Sequence, residues 1–168
     1  MTVNIREISV ETALEMALRS EIDAEKVYEK LHRMIGNFVL KEKIKFLMEE
    51  EKRHQDVIRE VYSKLFQSQK IKNQEKGILP KLSIGLNEEG SVIDLLELAV
   101  EAEQISEEFY DALSLEVENR KISEIFQYLS RMEHGHYSLL KGELDLCIND
   151  ETYYEQDGFH YDMVHVGP

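Results

Sequence analysis

The chain has 168 residues, with 20 lysines and arginines against 34 aspartates and glutamates, so its formal net charge is −14. A chain this acidic is a poor nucleic-acid binder, because phosphate contacts require clustered basic side chains. The single cysteine, Cys147, excludes an internal disulfide and a four-cysteine metal site within the chain. The sequence has neither an apolar run of about 18 residues nor a signal-peptide core, so we expect a cytoplasmic protein outside the membrane.

Four segments have the periodicity of helices, with apolar residues alternately three and four positions apart. Abundant Glu, Lys and Leu, with only two prolines, also favour helices over strands. The inward positions of the four predicted helices run from Leu14 to Ile35, from Leu40 to Leu65, from Leu96 to Val117 and from Ile122 to Leu144.

The boundaries of these segments predict two helical hairpins. Ser9 and Ser91 are suitable N-caps for the first and third helices. Gly36 and Asn37 interrupt the first pair of helices, and Asn119 interrupts the second pair at the matching place. Breaks this short join antiparallel neighbours.

The second hairpin repeats the first at a constant offset of 82 residues without a gap. Two copies of one helical hairpin are the simplest interpretation. The matching positions include Ser9 and Ser91, Glu21 and Glu103, Tyr28 and Tyr110, Glu51 and Glu133, and His54 and His136.

The segment from about 70 to 90 joins the two hairpins and contains one proline and three glycines. In extended form it can run the whole length of a bundle, as the long crossover of such folds does. Five of its apolar residues are expected to cover the flank of the bundle, namely Ile78, Leu79, Leu82, Ile84 and Leu86. We assign residues 1–148 to the bundle. Residues 149–168, which include His160 and His165, form an irregular tail expected to pack on the bundle or on a partner chain.

The middle of each apolar stripe is interrupted by a carboxylate: Glu21, Glu51, Glu103 and Glu133 take the place of leucine. An unpaired buried carboxylate is costly, and pairing or a metal ion is the usual compensation. No lysine or arginine falls on these stripes, whereas two divalent cations would balance four negative charges. We therefore predict a site for two metal ions.

The four carboxylates are also predicted to share one level of the bundle. Glu21 lies fifteen residues before Gly36 and Glu51 lies fifteen after it, so the two are side by side in an antiparallel hairpin. Glu103 and Glu133 have the same relation to Glu118. Facing the two hairpins together brings all four side chains into one layer.

Two Glu-x-x-His motifs complete the set: Glu51 with His54, and Glu133 with His136. A spacing of three residues puts both side chains on one helical face. Oxygen and imidazole ligands without sulfur suit iron or manganese better than copper or structural zinc. One such motif is weak, and the charges could belong to a solvated face of a misphased helix. Two motifs in register with two glutamates make a strong signal, because the apolar stripe fixes the phase independently.

Tyr28 and Tyr110 each follow a stripe glutamate by seven residues, about two helical turns. Their hydroxyls are predicted to hydrogen-bond a ligating carboxylate across the bundle, the alternative being an ordinary core aromatic. Other candidates are assigned structural positions. His134 is expected at the surface, His32 in the core or at its rim, and Cys147 in buried packing. Glu25 and Glu107 are expected on the flank or as outer ligands.

These motifs resemble the ferritin-like superfamily, specifically its rubrerythrin and bacterioferritin branches, over residues 9 to about 148. The resemblance implies an all-α, ferritin-like four-helix bundle that binds two iron ions, with manganese or zinc as substitutes. The shared pattern consists of Glu21-x6-Tyr28, Glu51-x-x-His54, Glu103-x6-Tyr110 and Glu133-x-x-His136. By this likeness Glu51 and Glu133 bridge the irons, Glu21 and Glu103 are terminal ligands, and His54 and His136 complete one site each.

The sequence departs from both branches at informative positions. Lys52 stands where bacterioferritins carry the haem-binding methionine, so haem is not expected. With one cysteine there is no rubredoxin-type domain, so electrons must come from an external donor protein such as rubredoxin. Val100 stands where rubrerythrins carry an extra glutamate, which weakens a peroxidase assignment. The irregular tail replaces the fifth helix of cage-forming ferritins, which weakens a storage assignment.

The resemblance implies a rubrerythrin-like oxidoreductase that reduces hydrogen peroxide in defence against oxidative stress, with dioxygen as the other candidate oxidant. A ferroxidase that feeds iron storage is the alternative. A non-enzymatic, metal-binding helical bundle is the second alternative. Site geometry alone does not separate these functions. We expect a homodimer or a small homo-oligomer.

Overall fold

A computed structural model describes residues 8–67, 71–72, 74–75, 77–78, 90–150 and 153. Within these ranges the chain is helical and contains no strand. The predicted all-α fold, a ferritin-like four-helix bundle of two antiparallel hairpins, is confirmed. Its helices are α1 (Val10–Met34), α2 (Phe38–Leu65), α3 (Val92–Glu116) and α4 (Arg120–Asn149).

Each helix is preceded by a capping residue whose side chain accepts a hydrogen bond from an unpaired backbone N–H group of the first turn. Ser9 and Ser91 are the N-caps of α1 and α3, as the sequence predicts, and Asp94 closes a reciprocal capping box with Ser91. Asn37 and Asn119 cap α2 and α4, so the interruptions seen in the sequence are also helix starts. Such caps are each worth about 1 kcal/mol and fix the helix boundaries.

The apolar core is divided into two clusters, one towards each end of the bundle. The first cluster includes Leu31 of α1, Leu47 of α2 and Leu140 of α4. The second includes Leu14 of α1, Ile58 of α2 and Phe126 of α4. On every helix the predicted charged positions lie between the two clusters. The apolar packing therefore holds the four helices together above and below a polar layer at mid-height.

The described part of the crossover lies against α1. Ile78 is buried in the second core cluster, and its backbone N–H donates to Ser20 Oγ at 2.7 Å. Gln74 hydrogen-bonds the buried Glu15 carboxylate. Ile78 thus covers the bundle as predicted. The other residues expected to do so, Leu79, Leu82, Ile84 and Leu86, lie outside the described residues.

The end of α4 is tied to α2 by a buried carboxylate. Glu143 accepts a hydrogen bond from the Tyr153 hydroxyl at 3.2 Å and forms an ion pair with Lys43. The rest of the predicted tail, including His160 and His165, lies outside the described residues, and the division at residue 148 stays a prediction. Among the described residues, no helix combines the length and the apolar character needed to cross a membrane.

Gly77 allows the crossover to approach α1 closely, and its substitution should destabilise the fold. A Cβ added at Gly77 would lie 2.3 Å from Ser20 Oγ and 3.0 Å from the Ser20 backbone nitrogen. We expect Gly77→Ala to lower the free energy of unfolding by about 1–3 kcal/mol, measured by urea denaturation. Gly90→Ala is the matched control, because its added Cβ makes only contacts of 3.6 Å or longer. Equal stability of the two variants would contradict the close approach.

Candidate metal centre

The six side chains predicted as metal ligands meet in the polar layer between the two core clusters. Glu21 comes from α1 and Glu103 from α3, while α2 and α4 each supply one glutamate and one histidine. All six residues are only 1–3% exposed. Ligand atoms of four of them lie within 4.8 Å of one another, those of Glu51, His54, Glu133 and His136.

The two imidazoles connect this cluster to the remaining glutamates. His54 Nδ1 lies 2.9 Å from Glu133 Oε1 and 3.5 Å from Glu21 Oε2. His136 Nδ1 lies 3.2 Å from Glu133 Oε2 and 3.5 Å from both Glu51 Oε1 and Glu103 Oε2. The two rings are stacked with centroids 5.3 Å apart. Each histidine therefore approaches carboxylates of both hairpins, so the site exists only when the hairpins pack together.

The polar atoms at the centre of the layer have no hydrogen-bond partner. In the part of the chain that the structure describes, seven buried side-chain nitrogen and oxygen atoms are unsatisfied, and all seven belong to the four-residue cluster. Nearby carboxylate oxygens are within ion-pairing distance of the imidazole nitrogens, but the angles do not make hydrogen bonds. Unpaired buried polar atoms are costly, and concentrating them in one place is typical of a metal site. The oxygen and nitrogen donors present fit two divalent metal ions.

Without metal, the four carboxylates divide into two classes by protonation. Burial, followed by the charges of Glu133 and Glu51, raises the pKa of Glu21 and that of Glu103 well above the usual value. Burial also acts to raise the pKa of Glu51 and that of Glu133. For Glu51, however, a hydrogen bond from Glu21 outweighs burial, and its pKa is lowered. For Glu133 the positive charge of His54 outweighs burial, and its pKa is lowered as well.

The carboxylates around the two imidazoles favour their protonated forms. Burial favours the neutral ring, but the carboxylates outweigh it. The close approach of the Glu103, Glu133 and Glu51 carboxylates raises the pKa of His136 to about 12. The Glu133 charge raises the pKa of His54 far above its usual value. Protonation of rings that face carboxylates reduces the net negative charge of the layer.

Tyr28 and Tyr110 connect the two hairpins through their hydroxyls, as the sequence predicts. Tyr28 of α1 donates to Glu103 Oε1 of α3, and Tyr110 of α3 donates to Glu21 Oε1 of α1. Burial and the nearby carboxylate charges raise the pKa of both phenols, so each hydroxyl keeps the proton that it donates. Each tyrosine therefore holds a carboxylate of the opposite hairpin at one orientation.

The other predicted candidates lie outside the cluster. His134 is exposed and lies 3.1 Å from Glu107, and the repeat-equivalent pair, Lys52 and Glu25, is 3.4 Å apart. His32 is half-buried in the last turn of α1. Cys147 is fully buried in the first core cluster. None of these side chains enters the central layer.

Sequence reasoning missed a contact on the side of the layer between α2 and α4. The Phe46 ring lies edge-on to the His136 ring with centroids 6.5 Å apart, although it is 46% exposed. Beside it, the buried Glu50 carboxylate is ion-paired with the exposed Arg53. Neither position lies on the apolar stripe of α2, so the sequence pattern gives no signal for it. The contact depends on how closely α2 and α4 approach in the folded bundle.

The fold and the cluster define a ferritin-like protein with a carboxylate–histidine site for a pair of metal ions. The sequence profile of the rubrerythrin family matches residues 12–144. The chain therefore belongs to the rubrerythrin family, a ferritin-like di-iron family.

The comparison with solved structures gives the same fold. A hypothetical protein from Pyrococcus furiosus is 33% identical, with a TM-score of 0.76, over 87% of this chain and 94% of the other. No curated protein matches the chain. The family and the cluster together support a di-iron protein.

Metal binding should release protons, because cations replace those held by the ligands. The raised pKa values of His54 and His136 keep both rings protonated at pH 7, so two metal ions should displace at least two protons. The number of protons released should increase as the pH falls. The raised pKa values of Glu21 and Glu103 mean that these carboxyl groups take up protons at a higher pH than ordinary glutamates, and metal binding would displace those protons too. Calorimetric titration with Fe²⁺ under anaerobic conditions, in buffers of different ionisation enthalpy, measures this number. Metal uptake without proton release would contradict the charge assignment.

The hydroxyl-to-carboxylate contacts can be tested by Tyr28→Phe and Tyr110→Phe. Each variant removes one hydrogen bond that orients a carboxylate, and we expect metal affinity about 10–100-fold weaker, measured by competition with a chelator. Tyr62→Phe is the matched control, because its buried hydroxyl donates to Glu11 and Glu15 outside the layer. If all three variants weaken binding equally, the effect is one of general packing.

Proposed function

We propose that this protein is a non-haem di-iron oxidoreductase that reduces hydrogen peroxide in the cytoplasm with electrons from a separate donor protein. The observation that carries the proposal is the group of seven unsatisfied polar atoms on Glu51, His54, Glu133 and His136. Family membership supports iron as the metal. The donor set of oxygen and imidazole nitrogen is one that iron accepts.

The chain would hold the two ions through six side chains. Glu51 and Glu133 come from facing helices and lie at the centre of the cluster, which suits bridging carboxylates. Glu21 and Glu103 approach from the opposite pair of helices and suit terminal positions. His54 and His136 would each supply one imidazole nitrogen to the metal pair. Four carboxylates balance the charge of two divalent ions, so the bound layer is neutral.

Two ferrous ions, when bound, supply the two electrons that convert hydrogen peroxide and two protons into two molecules of water. The chain's own contribution is to position and enclose the reactants. Two apolar clusters exclude bulk water from the layer, which strengthens every electrostatic interaction inside it. Tyr28 and Tyr110 keep the terminal carboxylates in place as the charge of the site changes. Their hydroxyl protons lie at the edge of the layer, in the hydrogen bonds that the tyrosines donate to Glu103 and Glu21.

We expect a separate protein to donate the electrons, because the single cysteine of this chain cannot by itself form a cysteine-ligated iron site. A small carrier such as rubredoxin fits this requirement. Dioxygen is the other candidate oxidant, and the same residues would enclose it.

The proposal is tested on protein purified without oxygen and loaded with Fe²⁺. We expect two irons per chain and consumption of peroxide faster than by the same amount of free Fe²⁺. Glu51→Ala should lose most of the iron and nearly all of the activity, because it removes a central ligand. Glu49→Ala, an exposed carboxylate two positions away, should retain both and is the matched control.

Other results would favour the other functions. Many irons per chain in a large hollow assembly would indicate a ferroxidase that feeds iron storage. Bound zinc, no reaction of the iron-loaded protein with peroxide and unchanged behaviour of Glu51→Ala would indicate a non-enzymatic bundle.

A further inference from the structure

A groove on the surface of the bundle lies between α2 and α4, beside the metal layer. Its volume is about 320 Å³, and its apolar lining comes from Val57 and Val61 of α2 and from Ile125 and Tyr128 of α4. Val57 follows the predicted ligand His54 by three residues, so the inner end of the groove lies about one helical turn from the layer. A groove of this volume is in the range of small-molecule sites and is far larger than hydrogen peroxide requires.

The internal repeat shows that the same bundle closes the equivalent place at its other end. At the offset of 82 residues, Ile125 corresponds to Lys43 and Val61 corresponds to Glu143. Lys43 and Glu143 form an ion pair that connects α2 with α4. At the groove two apolar side chains stand in place of that ion pair, so the gap between the helices has an apolar lining instead of a salt bridge.

Tyr128 is placed like Phe46 but does not close on a histidine. The two residues are 82 positions apart and so correspond in the repeat. Phe46 makes an edge-on contact with the ring of His136. Tyr128 is 51% exposed, and among the described residues it makes neither a ring contact nor a hydrogen bond. The groove therefore extends towards His54 beside a side chain that can be displaced without loss of a polar contact.

The charges at the rim favour an acidic group at the outer end of the groove. Glu60 is ion-paired with Lys64 at 2.6 Å, and Glu124 is ion-paired with Arg120 at 3.0 Å. Lys121 also lines the groove, is exposed, and forms no ion pair within the described residues. It lies about two turns of α4 from the inner end. A ligand complementary to this groove therefore combines an apolar body with a carboxylate at the end far from the layer.

We propose that this groove binds the substrate of the metal centre and that the substrate is the hydroperoxide of a fatty acid. The apolar chain lies on the apolar lining, the carboxylate pairs with Lys121, and the O–O group lies at the inner end, where displacement of Tyr128 gives it access to the layer. This inference rests on the proposed function and extends it from hydrogen peroxide to an organic hydroperoxide.

The reaction balances with the electrons that the proposed function supplies. The O–O bond breaks, and two protons with two electrons from the ferrous pair convert the hydroperoxide into the corresponding alcohol and one molecule of water. The separate donor protein then returns two electrons to the oxidised pair. The product is a hydroxy acid, which has the same apolar body and carboxylate as the substrate and no longer contains an O–O bond.

Binding of this hydroxy acid tests the groove without turnover. Calorimetric titration of the metal-loaded protein measures its affinity and that of its methyl ester, both below the concentration at which they form micelles. We expect the acid to bind about two- to fivefold more tightly than the ester, because only the acid pairs with Lys121. Lys121→Gln should remove this difference.

Filling the groove should prevent binding of both compounds. Ile125→Trp places a larger side chain in the groove, and Val57→Phe does so at its inner end. Leu115→Trp is the matched control, because Leu115 is an exposed apolar residue of α3 that does not line the groove. Circular dichroism should show the same helix content in all three variants. Equal binding by the unaltered protein and by the two groove variants would overturn the groove as the site.

Turnover tests the assignment of the substrate. The iron-loaded protein should reduce linoleic acid hydroperoxide to the hydroxy acid, and Lys121→Gln should raise the KM for this acid to that for its methyl ester. Reduction of hydrogen peroxide alone would overturn the inference and leave the proposed function standing. Reduction of neither peroxide would contradict both.

Discussion

The balance of charge in the central layer is the constraint on which the rest of the structure depends. Four glutamates that interrupt apolar stripes would be intolerable in a dry core without compensation. In the metal-free chain the compensation comes from protons: two imidazolium rings face Glu51 and Glu133, while Glu21 and Glu103 favour the neutral acid. Even so, seven polar atoms of Glu51, His54, Glu133 and His136 lack a hydrogen-bond partner among the described residues. The layer therefore destabilises the metal-free chain, and the two apolar clusters that enclose it offset that loss. A pair of cations would compensate the buried carboxylates better than protons do.

The repeat explains how so many charges reach one place. A single hairpin offers two glutamates and one histidine at one level, which is an incomplete site. Two hairpins related by the repeat complete it and cross-link it, because Tyr28 binds Glu103 and Tyr110 binds Glu21. Formation of the site and packing of the hairpins are consequently the same event. The two copies differ at exposed positions, as at Lys52 and His134 and at Arg53 and Gly135.

Much of this could be predicted from the sequence, because the relevant order is periodic and local. The apolar stripe fixes the phase of each helix, and equal distances from Gly36 place Glu21 beside Glu51. The offset of 82 residues then carries the same argument to Glu103 and Glu133. The contact of Phe46 with His136 and the pairing of Lys43 with Glu143 were not predictable in this way. They depend on how closely α2 and α4 approach, which side-chain packing determines and which has no signature in either helix alone.

The ligand set does not by itself distinguish a peroxide reductase from a ferroxidase, since the same six residue types serve either chemistry. What differs is access to the layer and the supply of electrons. Residues that control access lie on the surface of the bundle rather than in the layer. Between α2 and α4 the half-exposed Phe46 ring lies edge-on to the His136 ring, whereas Tyr28 and Tyr110 are fully buried on the side where α1 meets α3. Exposed residues such as Phe46, rather than the glutamates of the layer, are therefore where a peroxide reductase and a ferroxidase with the same ligands can differ.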